Sequence, residues 1–362
     1  MSSSFDGGIK LSLFGESHGK GIGAVLDNLP GGEEIDLDKI GEFMARRAPK
    51  KDGTSTMRSE KDIPEILSGL FEGKTTGTPL AAVIMNTDQH SGDYGNISHI
   101  ARPAHADYTG FLRYNGANDP RGGGHFSGRI TAPLCFAGAV CGQILEHRGI
   151  ITGAHIASIK NVRDTAFDPV GITAGTLDSV KRRPFPTLSE DAEMKMREVI
   201  NAARMDLDSV GGIVECAAVG FPAGIGSPML DGLENIISQL VFAIPAVKGI
   251  EFGCGFECAE MFGSENNDEF RMDNGKVVTD TNNHGGILGG ISSGMPIIFR
   301  VAFKPTPSIS RPQKSVDFKE LTEQELVIKG RHDPCVVPRA VPCVEAALNI
   351  ALLSALLEDP KL

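Results

Sequence analysis

Tryptophan is absent from this 362-residue chain, and tyrosine occurs only three times. Proteins that bind single-stranded nucleic acid stack successive bases on aromatic side chains, so this composition argues against such a platform. Positive charge is also scarce, because 35 Lys and Arg stand against 46 Asp and Glu for a net charge of -11. A negative overall field does not attract nucleic acid or anionic membranes. Any anion site must therefore be built from local clusters of basic residues.

Inspection of the residues also shows neither a signal peptide nor a membrane-spanning run. The N-terminal stretch MSSSFDGGIK has no apolar h-region of a signal peptide. The longest apolar run found by inspection, IISQLVFAIPAV, is interrupted by Gln239 and Pro245 and falls short of a membrane span. We therefore expect a cytoplasmic protein with neither a membrane nor a nucleic-acid partner.

Common nucleotide and metal motifs are also absent. The chain has neither a GxGxxG that opens a helix after the first strand nor a GxxxxGK[ST], which disfavours the two common nucleotide-binding folds. Most of the seven cysteines lie in apolar surroundings such as APLCFAGAVCG, which is typical of reduced core thiols. Cys254 and Cys258 are spaced as CGFEC, but no second pair completes a zinc site, so we expect no metal.

Hydrophobic periodicity predicts mixed helices and strands without a regular βαβ alternation. Asp36 can cap a helix over 36–47, and the helix over 131–148 is apolar all round, which places it in a core or an oligomer interface. Residues 161–190 read as irregular, and 263–284 as a flap or hairpin around Asn274-Gly275. The other predicted elements are helices over 190–206, 231–244 and the apolar C-terminus, and strands over 9–14, 21–28, 64–72, 79–86, 150–159, 209–220, 247–256 and 296–303.

Residues 102–129, RPAHADYTGFLRYNGANDPRGGGHFSGR, carry the densest chemistry in the chain. Arginine forks suit phosphate and carboxylate, and consecutive glycines let backbone amides approach a ligand closely. The stretch therefore predicts a polyanion site, although a polar surface loop has the same composition. It contains two histidines and four arginines, namely His105, His125, Arg102, Arg113, Arg121 and Arg129.

Three further polar stretches are candidates for function. In GESHG, neighbouring Ser17 and His18 would point to opposite faces of an extended chain, which disfavours a nucleophile pair. We interpret His18 as an exposed acid or base, although a loop histidine without a role fits the local sequence equally well. Residues 46–60 form a basic loop that can close over an anionic substrate or simply be solvated. The segment KPTPS at 304–308 places a lysine and hydroxyls at a strand end, where they can bind phosphate.

The polar and glycine-rich segments of the chain are GESHGKGIGAVLDNLP (15–30), RPAHADY (102–108), RGGGHFSGR (121–129), GGILGGISSG (285–294), KPTPS (304–308) and RHDPC (331–335). Taken in order, these motifs resemble those of the chorismate synthases. They run from near the N-terminus to about residue 345, so the resemblance covers nearly the whole chain. It implies an α+β fold in which a helical core is sandwiched between two antiparallel β-sheets, as a single domain over 1–362, assembled as a homotetramer.

The resemblance also implies an activity, that of an FMN-dependent lyase. Such an enzyme converts 5-enolpyruvylshikimate 3-phosphate to chorismate by anti-1,4-elimination of phosphate, the last common step of the shikimate pathway to aromatic amino acids. The flavin must be reduced although the reaction has no net redox change, and it is thought to lend electron density as the phosphate departs. The sequence leaves open whether NADPH reduces the flavin on the protein itself, and in which order the ligands bind.

Site residues follow from the resemblance position by position. His18 would protonate or stabilise the leaving phosphate, His105 would protonate or steady the reduced flavin, and Asp333 would act with the flavin edge in removing the ring proton. Substrate binding is implied for Ser17 and for four arginines, Arg47, Arg102, Arg129 and Arg339. Cofactor binding is implied for His125, Phe126, Ser127, Pro245, Ala246, Gly289, Lys304, Pro305, Thr306, Pro307, Ser308 and Arg331.

The chain departs from the family pattern in the glycine-rich stretch. It reads GGGHFSGRIT where many members read GGGRSSARET, so His125 and Phe126 replace Arg and Ser, and a local positive charge becomes pH-dependent or is lost. In the basic loop, Lys50 and Lys51 are the nearest equivalents of an additional arginine that family members often carry.

Two other functions remain as alternatives. A phosphate-ester hydrolase using the same histidines would need a nucleophile or a metal set, and a non-catalytic metabolite-binding protein would leave both histidines unexplained.

Overall fold

Two five-stranded sheets enclose a layer of apolar helices. The computed structural model describes residues 3–49, 62–86, 99–328 and 333–359. The helices are α1 (Leu37–Arg47), α2 (Asp107–Arg113), α3 (Thr131–His147), α4 (Ala174–Lys181), α5 (Glu190–Met205), α6 (Leu233–Phe242), α7 (Gly263–Asn266) and α8 (Val337–Glu358). The strands are β1 (Ser4–Asp6), β2 (Lys10–Gly15), β3 (Gly21–Asp27), β4 (Glu65–Ser68), β5 (Leu70–Phe71), β6 (Lys74–Thr75), β7 (Leu80–Met85), β8 (Ile151–Ile159), β9 (Val162–Arg163), β10 (Gly212–Val219), β11 (Val247–Phe252), β12 (Phe270–Asp273), β13 (Lys276–Thr279), β14 (Ile287–Leu288), β15 (Ile291–Ser292), β16 (Ile297–Phe303), β17 (Gln313–Asp317) and β18 (Thr322–Leu326).

Both large sheets are antiparallel and turn one apolar face inward. Their strand orders are β1-β2-β3-β7-β4 and β11-β16-β10-β8-β9. Between β3 and β7, buried residues pair directly across the strands, as Ile22 does with Ile84 and Leu26 with Leu80. Successive side chains of a strand alternate between faces, so this register directs a continuous apolar row toward the helices.

The helices α3 and α8 fill the space between the sheets. Helix α3 packs against β3 and β7, α8 packs against β8 and β10, and the two helices pack on each other. Small residues allow this close approach, since a Cβ on Gly138 would lie 2.2 Å from the Cβ of Ala346. Buried Asn349 joins the layers, donating to the Gly138 carbonyl at 3.0 Å and accepting from the Thr152 hydroxyl at 2.7 Å. The expected helical core between two antiparallel sheets is therefore confirmed.

Local predictions are confirmed where a strong pattern supported them. The Asp36 side chain caps α1 by accepting from the amides of Asp38 and Lys39. The expected hairpin is present as β12–β13, and Asn274 and Gly275 adopt φ values of 48° and 80°, as a two-residue type I′ turn requires.

Other predictions were wrong in detail. The segment 161–190 is not wholly irregular, because α4 forms within it behind the Thr173 cap and buries Leu177 and Val180. The helix predicted over 36–47 is confirmed as α1, whose last turn holds Arg46 and Arg47, and residues 50–60 of the basic loop lie outside the described ranges. The short helix α2, inside the chemistry-rich stretch, was also missed.

Two helical stretches, 128–147 and 337–358, are long and apolar enough to cross a membrane by length and composition. The sequence analysis overlooked both stretches because polar residues such as Gln143 and Glu345 interrupt their apolar residues. The apolar windows are 83% and 94% buried inside the protein, so packing between the sheets accounts for their composition. Five of the seven cysteines are buried free thiols, which confirms the core interpretation for Cys135, Cys141, Cys216, Cys335 and Cys343.

The contact between α3 and α8 predicts a stability effect. Gly138→Ala places a methyl against Ala346, and overpacking of a dense core costs about 1–3 kcal/mol. We expect a loss of that size in the free energy of unfolding, measured by urea titration. Gly41→Ala in α1 is the control, because a Cβ there meets nothing within 4 Å and alanine favours a helix by up to about 1 kcal/mol. Equal destabilisation by both substitutions would contradict the close helix contact.

Candidate active site

A cavity of about 750 Å³ brings together segments that are far apart in the sequence. This volume falls within the range of small-molecule sites. Its walls come from the first strands, the end of α1, the stretch 102–131, the end of α6, the segment after β16 and the start of α8. The predicted site residues that line it are Arg47, Arg102, His105, His125, Phe126, Ser127, Arg129, Pro245, Ala246, Lys304, Thr306, Pro307, Ser308, Asp333 and Arg339.

A bare glycine backbone runs between two histidines at the edge of this cavity. Gly122, Gly123 and Gly124 have φ values of 60°, 95° and 53°, a conformation that residues with a Cβ rarely adopt. A Cβ on Gly122 would lie 2.1 Å from Cε1 of His18, and one on Gly123 would lie 3.1 Å from Nε2 of His105. Glycine is therefore required here both for the turn and for the approach of the two imidazoles.

His18 lies behind this glycine loop, so its prediction as an exposed group was wrong. The residue is 4% exposed, and its Nδ1 lies 3.1 Å from the Ser17 hydroxyl. The Ser17 hydroxyl also donates to the Arg121 carbonyl at 3.3 Å, and the backbone amide of Ser17 donates to the Gly124 carbonyl at 3.1 Å. Ser17 and His18 thus lie together because the chain turns here, whereas an extended chain would have separated them.

His105 is held by a carboxylate that the sequence analysis did not single out. Its Nδ1 lies 2.7 Å from Oδ1 of Asp107, and the Arg102 fork binds the same carboxylate at 2.6 and 2.7 Å. Burial raises the pKa of Asp107, but the hydrogen bonds from Arg102 and His105 outweigh it and hold that pKa well below its usual range. The ionised carboxylate fixes Nδ1 of His105, and the ring presents Nε2 to Gly123.

Arg47 and Arg129 meet on a second carboxylate, Asp62. One guanidinium nitrogen of each arginine bonds to a different oxygen of Asp62, whose side chain is 1% exposed. Burial raises the pKa of Asp62, whereas the charges and hydrogen bonds of the two arginines lower it, with a net lowering. The group therefore stays ionised at neutral pH.

Asp333 and Arg339 form a third pair on the cavity wall. The Arg339 guanidinium donates to Asp333 at 2.7 Å, and its Nε donates to the carbonyl of Arg47 at 3.1 Å. This contact links the start of α8 to the end of α1. Each of the four cavity arginines thus bonds to a carboxylate, of which only Asp333 lines the cavity.

His125 and Phe126, where the chain leaves the family pattern, have local partners. Nδ1 of His125 donates to the Gly15 carbonyl at 2.7 Å, and Nε2 lies 2.5 Å from the Ser3 hydroxyl. Phe126 packs over Gly110, where a Cβ would lie 2.6 Å from the ring. The imidazole therefore ties the first strands to the glycine loop.

The segment after β16 offers groups suited to a phosphate. Burial lowers the pKa of Lys304, and neighbouring Lys248 lowers it further. The hydroxyl oxygen of Thr306 is buried with no hydrogen-bond partner among the described residues, which marks an acceptor or donor left for a ligand. Ser308 is buried beside it on the cavity wall, whereas Pro305 is exposed and does not line the cavity.

Gly289, another implied cofactor residue, does not line this cavity. Gly289 lies in the β14–β15 turn, next to Gly290, whose carbonyl accepts from the Leu233 amide at the start of α6. The cavity lies at the other end of α6, around Leu240, about 10 Å along the helix axis. Arg331 lies outside the described ranges. Within those ranges no group of three or more His, Cys, Asp or Glu is arranged to hold a metal ion.

Comparisons with known proteins agree with this architecture. A sequence model of the family described as "Chorismate synthase" matches residues 9–357. The chorismate synthase of Pyrococcus abyssi is 48% identical over 96% of this chain and 96% of the relative, and that of Korarchaeum cryptofilum is 45% identical over 95% and 94%. A crystal structure of a chorismate synthase matches with a TM-score of 0.75 and 30% identity, covering 97% of this chain and 92% of that one. This chain therefore belongs to the chorismate synthase family.

Proposed function

We propose that this protein converts 5-enolpyruvylshikimate 3-phosphate to chorismate and phosphate, using reduced FMN. The observation that carries the proposal is one cavity in which four arginines converge with a glycine backbone flanked by His18 and His105. The substrate has a phosphate and two carboxylates, so it needs several cations in a protein whose net charge is -11. Planar arginine forks match such oxyanions and fix their orientation.

The cavity also suits the cofactor. The unpartnered Thr306 hydroxyl, the Lys304 ammonium and buried Ser308 form a donor set for the FMN phosphate. Apolar and backbone surface for the ring is available at Pro245, Ala246 and Phe126. When bound, reduced FMN supplies an electron-rich ring that can lend electron density to the substrate without net redox change. Assignment of Gly289 and Arg331 to the cofactor remains a proposal from the family alone.

The side chains of the protein supply binding and proton handling. His18, immediately behind Gly122, is proposed to donate a hydrogen bond or proton to the phosphate oxygen as the C–O bond breaks. His105, with Nδ1 fixed by Asp107, is proposed to hold its Nε2 at the flavin. Asp333 accepts the ring proton, and the adjacent guanidinium of Arg339 keeps this carboxylate oriented.

We further propose one domain over residues 1–362, a homotetramer in the cytoplasm, and no nucleic-acid or membrane partner. A single main hydrophobic cluster extends from Phe5 to Leu356 and includes both large sheets, which supports one domain. Apolar side chains 77–83% exposed at Met229, Leu230, Phe256 and Phe262 support an association surface.

The proposed reaction predicts turnover only with reduced flavin. Purified protein is mixed without air with enolpyruvylshikimate phosphate and chemically reduced FMN, and chorismate absorbance is followed. We expect chorismate and phosphate in equal amounts, and no product without flavin. Equal turnover without flavin would contradict the cofactor assignment, and phosphate released without chorismate would favour a hydrolase.

The roles proposed for His18 and His105 predict that removal of either imidazole lowers the rate of turnover. His18→Ala and His105→Ala should each lower kcat by about 10²-fold or more, as expected when a positioned proton donor is removed. His147→Ala is the control, because this histidine is 43% exposed at the end of α3 and does not line the cavity. It should retain the wild-type rate. Wild-type rates in both the His18 and the His105 variants would overturn the assigned roles while leaving the family intact.

A further inference from the structure

Asp62 is a buried carboxylate shared by two arginines from different elements. Arg47 comes from the last turn of α1, and Arg129 from the short 3-10 turn Gly128–Ile130 before α3. The arginine side chains are only 3% and 5% exposed at this contact, yet both residues line the cavity. Asp62 does not line it. The carboxylate thus lies behind the two cations, on the side away from a bound ligand.

The cluster formed by Arg47, Arg129 and Asp62 has a net charge of +1. Two guanidiniums and one carboxylate sum to +1, and buried like charges without a counter-ion are strongly destabilising. With the pKa of Asp62 held below its usual range, the carboxylate is ionised whenever the reaction is assayed near neutral pH. The pair can therefore attract an oxyanion while both arginines stay in place.

Further hydrogen bonds fix the plane of each guanidinium. Arg47 also donates to the Thr131 hydroxyl and to the Gly128 carbonyl, both at 3.0 Å. Nε of Arg129 donates to the Asn86 side chain at 3.0 Å. All three nitrogens of the Arg47 fork, and Nε and one terminal nitrogen of the Arg129 fork, thus bond to the protein, and Asp62 is the partner that the two forks share.

We propose that Asp62 is a positioning residue that aligns Arg47 and Arg129 as one pre-set pair for an oxyanion of the substrate. It acts through the arginines and does not touch the substrate. The inference rests on the proposed function for its effect on turnover, but the arrangement of the two arginines can be measured independently of any reaction.

The substitution Asp62→Asn distinguishes the orientation of the two arginines from their electrostatic attraction for an anion. The substitution removes the negative charge, so the two arginines exert a stronger pull on an anion but lose their common anchor. We expect affinity for inorganic phosphate, measured by calorimetry, to stay equal or rise. We expect kcat to fall about 10- to 100-fold, because a displacement of about 1 Å of a binding group can cost that much. A merely structural role would weaken phosphate binding and turnover together.

Two further variants complete the test of Asp62, one that retains its charge and one that serves as a control. Asp62→Glu retains the charge on a longer stem, so kcat should fall less than in Asp62→Asn, by about 3- to 10-fold, with phosphate affinity unchanged. This variant carries the test if Asp62→Asn does not fold. Glu345→Gln is the matched control, since Glu345 is also 1% exposed and also joins two cations, Arg46 and Lys181, but lies outside the cavity lining. It should lower thermal stability and keep kcat within about threefold, because its cations do not face the ligand.

The outcomes are distinguishable. Wild-type kcat in Asp62→Glu or Asp62→Asn, or parallel loss of phosphate binding and kcat, would overturn the positioning role. If the wild-type protein itself forms no chorismate, the proposed function fails. In that case a crystal structure of Asp62→Asn still decides the inference, because unchanged orientations of Arg47 and Arg129 would contradict it and separated guanidiniums would support it.

Discussion

The arrangement of the site depends on the lack of side chains at Gly122–Gly124. Their left-handed backbone allows the chain to pass between His18 and His105, with Gly122 against one ring and Gly123 against the other. A single Cβ at Gly122 would occupy the space of the His18 ring. The loop therefore sets how close both imidazoles lie to whatever the cavity binds.

The second organising feature is the pairing of each cavity arginine with a carboxylate. Arg102 binds Asp107, Arg339 binds Asp333, and Arg47 shares Asp62 with Arg129. These pairs orient the guanidinium forks and leave an excess of one positive charge at Asp62. An acidic protein thereby holds a local cation cluster in which only one buried positive charge is left uncompensated.

Sequence patterns predicted the regular elements well where one face repeated clearly, as in α1 and α5. The two-sheet sandwich came only from the family resemblance, because no local pattern states which strands pair. Asp62 and Asp107 were missed as site residues, since a carboxylate gains its role from arginines that folding brings to it. Burial of His18 was missed because its environment is made by Gly122, more than 100 positions along the chain. Gly289 was assigned by its motif, although the fold places it at the far end of α6.

The central claim is that the glycine loop positions His18 for the reaction. The most direct test is the anaerobic rate of chorismate formation by Gly122→Ala and Gly149→Ala. Both glycines have positive φ, 60° and 76°, so both substitutions strain the backbone, but a Cβ on Gly149 meets nothing within 4 Å. We expect a loss of about 10²-fold for Gly122→Ala, the size expected for a displaced acid, and a near wild-type rate for Gly149→Ala. Equal rates in the two variants would contradict it.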